Sequence, residues 1–496
     1  MLASARLPVT GGRLNRRPAG HWDHLAALLM VVAFLLAGWK VWSRPPAAAF
    51  AVVQQVAATT HTTPASAFTL AASAAPKQQP SSAVGDKFQF DAQFVSAAPG
   101  QAVHAASIVE LRNRDLRAVW FSGSREGAGD VTIQTAVLDH TSQRWLPEST
   151  LFDRQKIERG LWRYVKKLGN PVIARAPDGA LWLWLVNVSI GGWAGSAISW
   201  SRSVDEGVSW SAPRRLVTSP FLNISTLVKG GPVAFADGGI GLPVYHEFMT
   251  KYSEILQLNP QGQVVDKIRI PGSQTSLQPV LLVSGPGQAE AYMRAGQGGK
   301  LMVAATDDAG KTWSNSQATS WPNPDSAVAA VMTRSGSPWL ALNPGAVGRE
   351  TLTLLQGRKY SEVSKDSKGG TFDAASVLPV EGSAGQPSGL SIVDYQRLLG
   401  AELKAGGASD AETAAYIAGA ARQLCGSQRC AQEFSYPYLL QTSDGYMHLV
   451  YTWHRTRIKH VRFDPLQPAL QPVPQPALAT GAAPLLAPRA YVSPVH

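Results

Sequence analysis

The stretch Asp178–Val186, DGALWLWLV, sets the reading of this chain. A tight Asp-Gly turn feeds directly into an alternating apolar strand. The same unit recurs at Asp115 (DLRAVWF), Asp237 (DGGIGLPVY), Gly287 (GQAEAYM), Gly336 (GSPWLAL) and Asp444 (DGYMHLVY). The interval is about 50 to 60 residues, except the last, which is about twice that. A β unit this short cannot bury its own sheet, but six arranged in a ring can, and closing the ring hides the sheet edges. The fold class expected is therefore all-β, a six-bladed β-propeller; a pair of β-sandwich domains is the alternative. The long last interval contains Ser391–Gln423, with Leu, Ala and Ile at helical spacing, and predicts a helical insertion near 391–430 before the closing blade.

Two further segments, Ser203–Trp210 (SVDEGVSW) and Thr306–Trp313 (TDDAGKTW), share the pattern Ser/Thr-x-Asp-x-Gly-x-x-Trp. Each reads as a self-contained hairpin tip, an Asp box. The Asp caps turn amides, the Gly supplies a positive φ, and the Trp packs beneath the turn. The role expected of them is structural.

The ends of the chain read differently from its body. Leu25–Trp39 is an uncharged apolar run, extended by Val41 and Trp42 if Lys40 snorkels. Four arginines precede it (Arg6, Arg13, Arg16, Arg17), which orients the N-terminus to the cytoplasm and the body outside. The expected plan is a basic segment over 1–24, a transmembrane anchor over 25–42, and an Ala/Thr/Pro-rich disordered linker over 43–85. Beyond these come a folded unit over 86–464 and a Pro/Ala-rich disordered tail over 465–496. A signal cleaved at Ala47–Ala49 is the rival to a retained anchor. The location expected is the cytoplasmic membrane, single-pass, with the propeller outside or in a periplasm. Of the formal net charge of +11, +5 sits in residues 1–44, and no basic stripe in the body suits nucleic acid. The two cysteines, Cys425 and Cys430, are too few for a zinc site or a disulfide framework, and no spacing calls for a metal or cofactor. Whether they bond to each other is left open.

Equal strands in different blades end at the same height around one axis. The six repeated strands run into Arg125-Glu126, Asn187, His246-Glu247, Arg294, Asn343 and His454-Arg455, which predicts a polar mouth. Trp162, Tyr164, Asn170, Tyr245, Tyr436 and Tyr438 supply rings and amides nearby. Aromatic faces stack on sugar rings while amides and arginines read hydroxyls and carboxylates, so a glycan is the ligand class expected.

These residues resemble the sialidase superfamily, specifically its bacterial branch with Asp-box (BNR) repeats. The resemblance rests on the two Asp boxes, the six-fold repeat, FSGSREGAGD (Phe121–Asp130), GLPVYHE (Gly241–Glu247), SLQP (Ser276–Pro279), Arg294 ahead of a box, and EFSYPYLLQTSDG (Glu433–Gly445) running into RIKHV (Arg457–Val461). It spans roughly 100–463. It implies a propeller in which three arginines grip a carboxylate, a Tyr paired with a Glu attacks the anomeric carbon, and an Asp is acid/base. On that resemblance Asp130 is the acid/base, Tyr436 the nucleophile, and Arg125 and Arg294 bind the carboxylate; the third arginine has no clean match, and Arg455, which comes after Tyr436 rather than before it, is the candidate. The chain departs from the pattern where the first triad arginine should fall, at His104. It departs again at Gln278, in the strand where the activating Glu belongs, because an amide cannot take a proton. Glu247 or Glu126 is the substitute base, and Arg334 and Arg349 are further arginines without a motif. Asn187 and His246 complete the expected substrate-binding set. The function implied is an exo-glycoside hydrolase acting on a terminal, acidic sugar of an extracytoplasmic glycan. The alternatives are a non-catalytic glycan-binding propeller in a polysaccharide assembly or export system, and a lyase acting on uronate polymers with Tyr436 and His246 as actors.

Overall fold

The computed structural model describes residues 21–42, 48–52 and 90–466, apart from 220–222, 297, 346–347, 359–369, 374 and 383–388. The expected tail beyond 466 and most of the expected linker lie outside these residues. The chain divides into two compact units, Met1–Ala47 and Ala48–His496.

In the first unit the apolar run is helical, α1 (His21–Trp42), and its side chains, among them Leu28, Leu29, Phe34 and Leu35, are exposed. Among the described residues, however, no helix is long and apolar enough to cross a membrane. The structure therefore gives no support to a spanning segment over 25–42.

The second unit is six antiparallel sheets of four or five strands each, the blades of a propeller. The turn-then-strand unit found in the sequence is the second strand of every blade: Leu116–Gly123, Leu181–Val188, Ile240–His246, Ala289–Ala295, Pro338–Leu342 and Met447–Trp453. In blades two, three, five and six these strands are buried along their whole length. Neighbouring blades cover both faces, and each buried Leu, Val or Trp side chain contributes roughly 1.5–3 kcal/mol. The first strands of the six blades are Ala102–Glu110, Lys167–Arg175, Leu227–Val228, Ser276–Val283, Ala329–Met332 and Phe434–Gln441, and neighbours contact one another around the axis, except that blade four's first strand meets Ile240–His246 of blade three. Asp91–Phe94 pairs with Arg457–Phe463, so the sixth blade takes its outermost strand from the start of the propeller and closes the ring.

Every blade has one non-glycine residue of positive φ at the head of its first strand: Ala105, Asn170, Ser225, Gln278, Asp325 and Tyr436. In blades one, two, four and six the ladder slips at that point, between His104 and Ser107, Gly169 and Val172, Leu277 and Val280, and Ser435 and Tyr438. Each is a β-bulge, which breaks the two-residue alternation and re-aims side chains at the axis. In three of them a proline comes directly after, at Pro171, Pro279 and Pro437, where a missing N–H costs nothing because the ladder is already interrupted.

The Asp boxes close the ends of third strands. Asp205 Oδ1 accepts from the Ser203 hydroxyl at 2.7 Å and from the Ser209 amide at 2.9 Å, and Gly207 takes a φ of 86°. Thr306–Trp313 repeats the pattern, with Asp308 accepting from Thr306 and Thr312 at 2.9 Å each. Helix α2 (Arg154–Leu161), capped by Asp153, lies between the first two blades. The expected insertion is a helical hairpin, α3 (Ile392–Ala405) and α4 (Asp410–Leu424), the second opened by a Ser409–Glu412 capping box. Leu399, Leu403, Tyr416 and Ala420 join one core with Trp453 and Phe463 of the closing blade. Cys425 and Cys430 are disulfide-bonded at its exit.

One expectation is corrected within the linker. Residues 48–52 lie on the propeller: Phe50 is buried, stacks on Phe235 at 5.3 Å and shares a core with Trp313, and its amide donates to the Pro286 carbonyl. Within the Ala/Thr/Pro-rich composition of 43–85, Phe50 has a slot to fill.

Candidate functional site

The bulges deliver Gln278 from blade four and Tyr436 from blade six to one point on the axis. The Gln278 amide nitrogen donates to the Tyr436 hydroxyl oxygen at 2.9 Å and to that of Tyr245 at 3.3 Å, and Asn170 donates to Tyr245 at 3.1 Å. Arg294, at the end of a second strand, donates through Nη1 to Gln278 Oε1 at 2.9 Å and to the Tyr436 oxygen at 3.4 Å. Its Nε pairs with Asp325 at 2.6 Å. Both groups facing the Tyr436 oxygen are donors, and among the described residues none accepts its proton.

The Tyr436 ring is flanked by His104 at 4.1 Å, and the Arg349 guanidinium lies 5.9 Å from its centre. Glu433, buried, holds two arginines at once: Arg349 at 3.3 Å and Arg455 at 2.8 Å. Arg455 also reaches Glu126 at 2.9 Å, linking the sixth blade to the first. Three guanidinium groups, from blades four, five and six, thus surround one tyrosine. Each is oriented by a carboxylate on part of its five donors, and Arg294 and Arg455 leave Nη2 without a partner among the described residues.

The charges set one another. Burial, reinforced by Arg455, Arg349, Arg294 and Lys229, holds the His104 pKa well below the ordinary value, so the ring is neutral, and neither nitrogen has a partner among the described residues. Burial works against the charges on Arg294 and Arg455, but their anionic neighbours outweigh it and raise both. Burial likewise opposes ionisation of Glu433, yet Arg455 and Arg349 bring its pKa below the usual carboxylate value. Glu247 goes the other way: burial raises it despite Arg294 and Lys251. Lys229, buried and pushed down to about 7 by desolvation, donates to the carbonyls of Val328 and Pro437 in blades five and six.

Of the residues expected at the mouth, His104, Gln278, Arg294, Tyr436, Arg455 and Glu126 form one connected cluster, with Glu247 facing Arg294. Arg125 and Asp130 sit on the exposed loop of blade one, where the Asp130 carboxylate accepts from the Ser124 amide and hydroxyl, each at 3.0 Å. Asn187 and His246 are turned into their own blades instead. Asn187 donates to Ser199 at 2.6 Å; His246 pairs with Glu254 at 2.6 Å and stacks on Tyr252. Arg334 is tied to the Thr442 carbonyl, away from the cluster. Sequence reasoning misses Asp325, Glu433 and Lys229. The residue-proline pairs 170–171, 278–279 and 436–437, each inside an apolar strand, are the available sign of an axial bulge.

Fold and site together define a sialidase-like six-bladed propeller with an arginine-lined axis. Residues 114–449 match the BNR repeat-like domain family, and the chain belongs to it. Among solved structures it is similar to the Hadza microbial sialidase Hz136, at 14% identity over 73% of this chain and 66% of that one, TM-score 0.52. It is also similar to the intramolecular trans-sialidase from Ruminococcus gnavus in complex with oseltamivir carboxylate, at 11% identity over 76% and 97%, TM-score 0.53. A protein of unknown function from Dyadobacter fermentans gives 11% identity over 75% and 97%, TM-score 0.54. At these identities what is shared is the fold, and the chain spans 66% of the length of the Hadza sialidase. No curated protein matches the sequence.

Proposed function

We propose that this propeller takes the terminal acidic sugar of an extracytoplasmic glycan on its axis and cleaves it as an exo-glycoside hydrolase. The observation that carries this reading is the convergence of Arg294, Arg349 and Arg455 on Tyr436. Prepositioned guanidinium groups with unspent donors match a carboxylate bidentately. Tyr436 is the attacking or stabilising group: a neutral phenol approaches a carboxylate-bearing sugar where an ionised carboxylate would be repelled. Asp130 on the exposed loop of blade one is the acid/base, and Glu247, whose carboxyl burial raises, is suited to hold a second proton. The Cys425–Cys430 bond favours a protein outside the cytoplasm.

A second reading, binding without cleavage, is favoured by Gln278. Its amide faces Tyr436 where a base would have to stand. The two are separated by incubating the full-length protein with aryl glycosides of sialic and hexuronic acids and monitoring release of the aryl alcohol. Cleavage is expected, falling about 100-fold or more in Tyr436→Phe and in Asp130→Asn; turnover that survives both substitutions contradicts the mechanism. A wild type that binds without release, and gains release in Gln278→Glu, selects the second reading.

A further inference from the structure

A cavity of about 140 Å³ opens on blade two, away from the arginine cluster, and is lined by Arg163, Asn187, Ser189, Ile190, Arg215 and Ile224 among others. That volume holds several waters. Arg163 and Arg215 are, among the described residues, its only charged lining. Arg215 Nη2 donates to the Asn223 carbonyl at 2.5 Å, while its Nε is buried with no partner among the described residues. Burial, and then the neighbouring charge of Arg163, lower the Arg215 pKa, which records two like charges held together. The carboxylate of Glu158 in the same segment accepts from the Val165 amide at 2.9 Å. Two guanidinium groups lining one cavity whose remaining wall is mostly apolar are costly until an anion sits between them.

The surroundings are those of a saccharide surface. Trp162 and Tyr164, on either side of Arg163 in the chain, are 95% and 61% exposed. Gly195, which lines the cavity, ends the short turn of Trp193, and the Lys167 ammonium stands 4.2 Å over the Trp193 ring. Lys167 in turn feels the charges of Glu126 and Glu247 at the rim of the axial cluster. Lys167 over Trp193 thus borders the cavity at Gly195.

We propose that the blade-two cavity is a second anion subsite, holding a carboxylate or sulfate of another unit of the acidic glycan whose terminal sugar sits on the axis. It makes the ligand a polyanionic saccharide, and it rests on reading the axial cluster as the sugar site. The test uses full-length protein. Crystals soaked in inorganic sulfate should show one anion between Arg163 and Arg215, lost in Arg163→Ala. Equilibrium binding of galacturonate and of its hexamer then separates a glycan subsite from a free-anion site. Arg163→Ala is expected to weaken the hexamer about tenfold and leave the monomer unchanged, whereas Arg294→Ala weakens both. Hexamer affinity unaltered by Arg163→Ala overturns the glycan subsite even if sulfate binds, and an empty cavity with unaltered affinity overturns the site altogether. If Arg294→Ala alone has no effect, the axial reading fails, and the blade-two cavity stands only as an anion site independent of the axis.

Discussion

At one end of the propeller, the turn Ser203–Trp210 is closed by bonds within eight residues, Ser203 to Asp205, Gly207 to Ser203, Ser209 to Asp205, and Trp210 to the Gly207 carbonyl, while its Glu206 reaches out to Arg112, Arg117 and Arg175. At the other end, the Tyr436 oxygen is met by Gln278 and Arg294, 158 and 142 residues away in sequence, and its ring by His104 from blade one. Third and second strands run antiparallel, which puts the boxes and the cluster on opposite faces. The local end builds the fold and the non-local end builds the site. Substitutions at the two ends should therefore fail in different ways.

The largest effect is expected where the non-local network is cut at its centre. Removing both cationic partners of Glu433, in the double variant Arg349→Ala with Arg455→Ala, leaves a buried carboxylate held, among the described residues, only by the Ser435 hydroxyl. It should cost roughly 3–5 kcal/mol of unfolding free energy in a urea titration. Adding Glu433→Gln should recover most of that loss; no recovery would mean the arginines stabilise the fold by some route other than this pair of contacts. Arg294→Ala comes next. Its partner Asp325 is partly exposed, so stability should change little, while affinity for an acidic sugar falls about 100-fold by calorimetry. The smallest effect belongs to the Asp-box end. Hydrogen bonds from Ser209 and then Ser203 hold the Asp205 pKa down to about 2, against 3.8 unperturbed. A depressed carboxyl contributes stability above its unfolded value and loses it as the pH falls from about 4 toward 2. Asp205→Asn should flatten that acid limb and leave sugar binding unchanged; altered binding would erase the distinction between the ends.

The same contrast governs what could be read in advance. The six second strands were legible because each comes straight after its own turn and alternates over consecutive residues, and the helical hairpin because its apolar spacing is periodic. The site was legible only in pieces. Arg294 and Tyr436 stand out by motif, but it is bulges in first strands that bring Gln278 and Tyr436 to the axis, whereas Asn187 and His246, placed at second-strand ends by simple counting, bond within their own blades, to Ser199 and Glu254. Arg349 has no motif because its place depends on a bridge to Glu433 formed after a helical insertion separates them. Gln278 and His104 read as departures from the family pattern, and the structure adds that an arginine from blade six, Arg455, stands beside His104.

The most direct test of an arginine-gripped carboxylate is equilibrium binding of the full-length protein to one acidic oligosaccharide, in parallel with the same compound after its carboxylates are reduced to alcohols. Binding to the acidic form, with the reduced form weaker by about 100-fold or more, is the expected result. Equal binding of the two would contradict it.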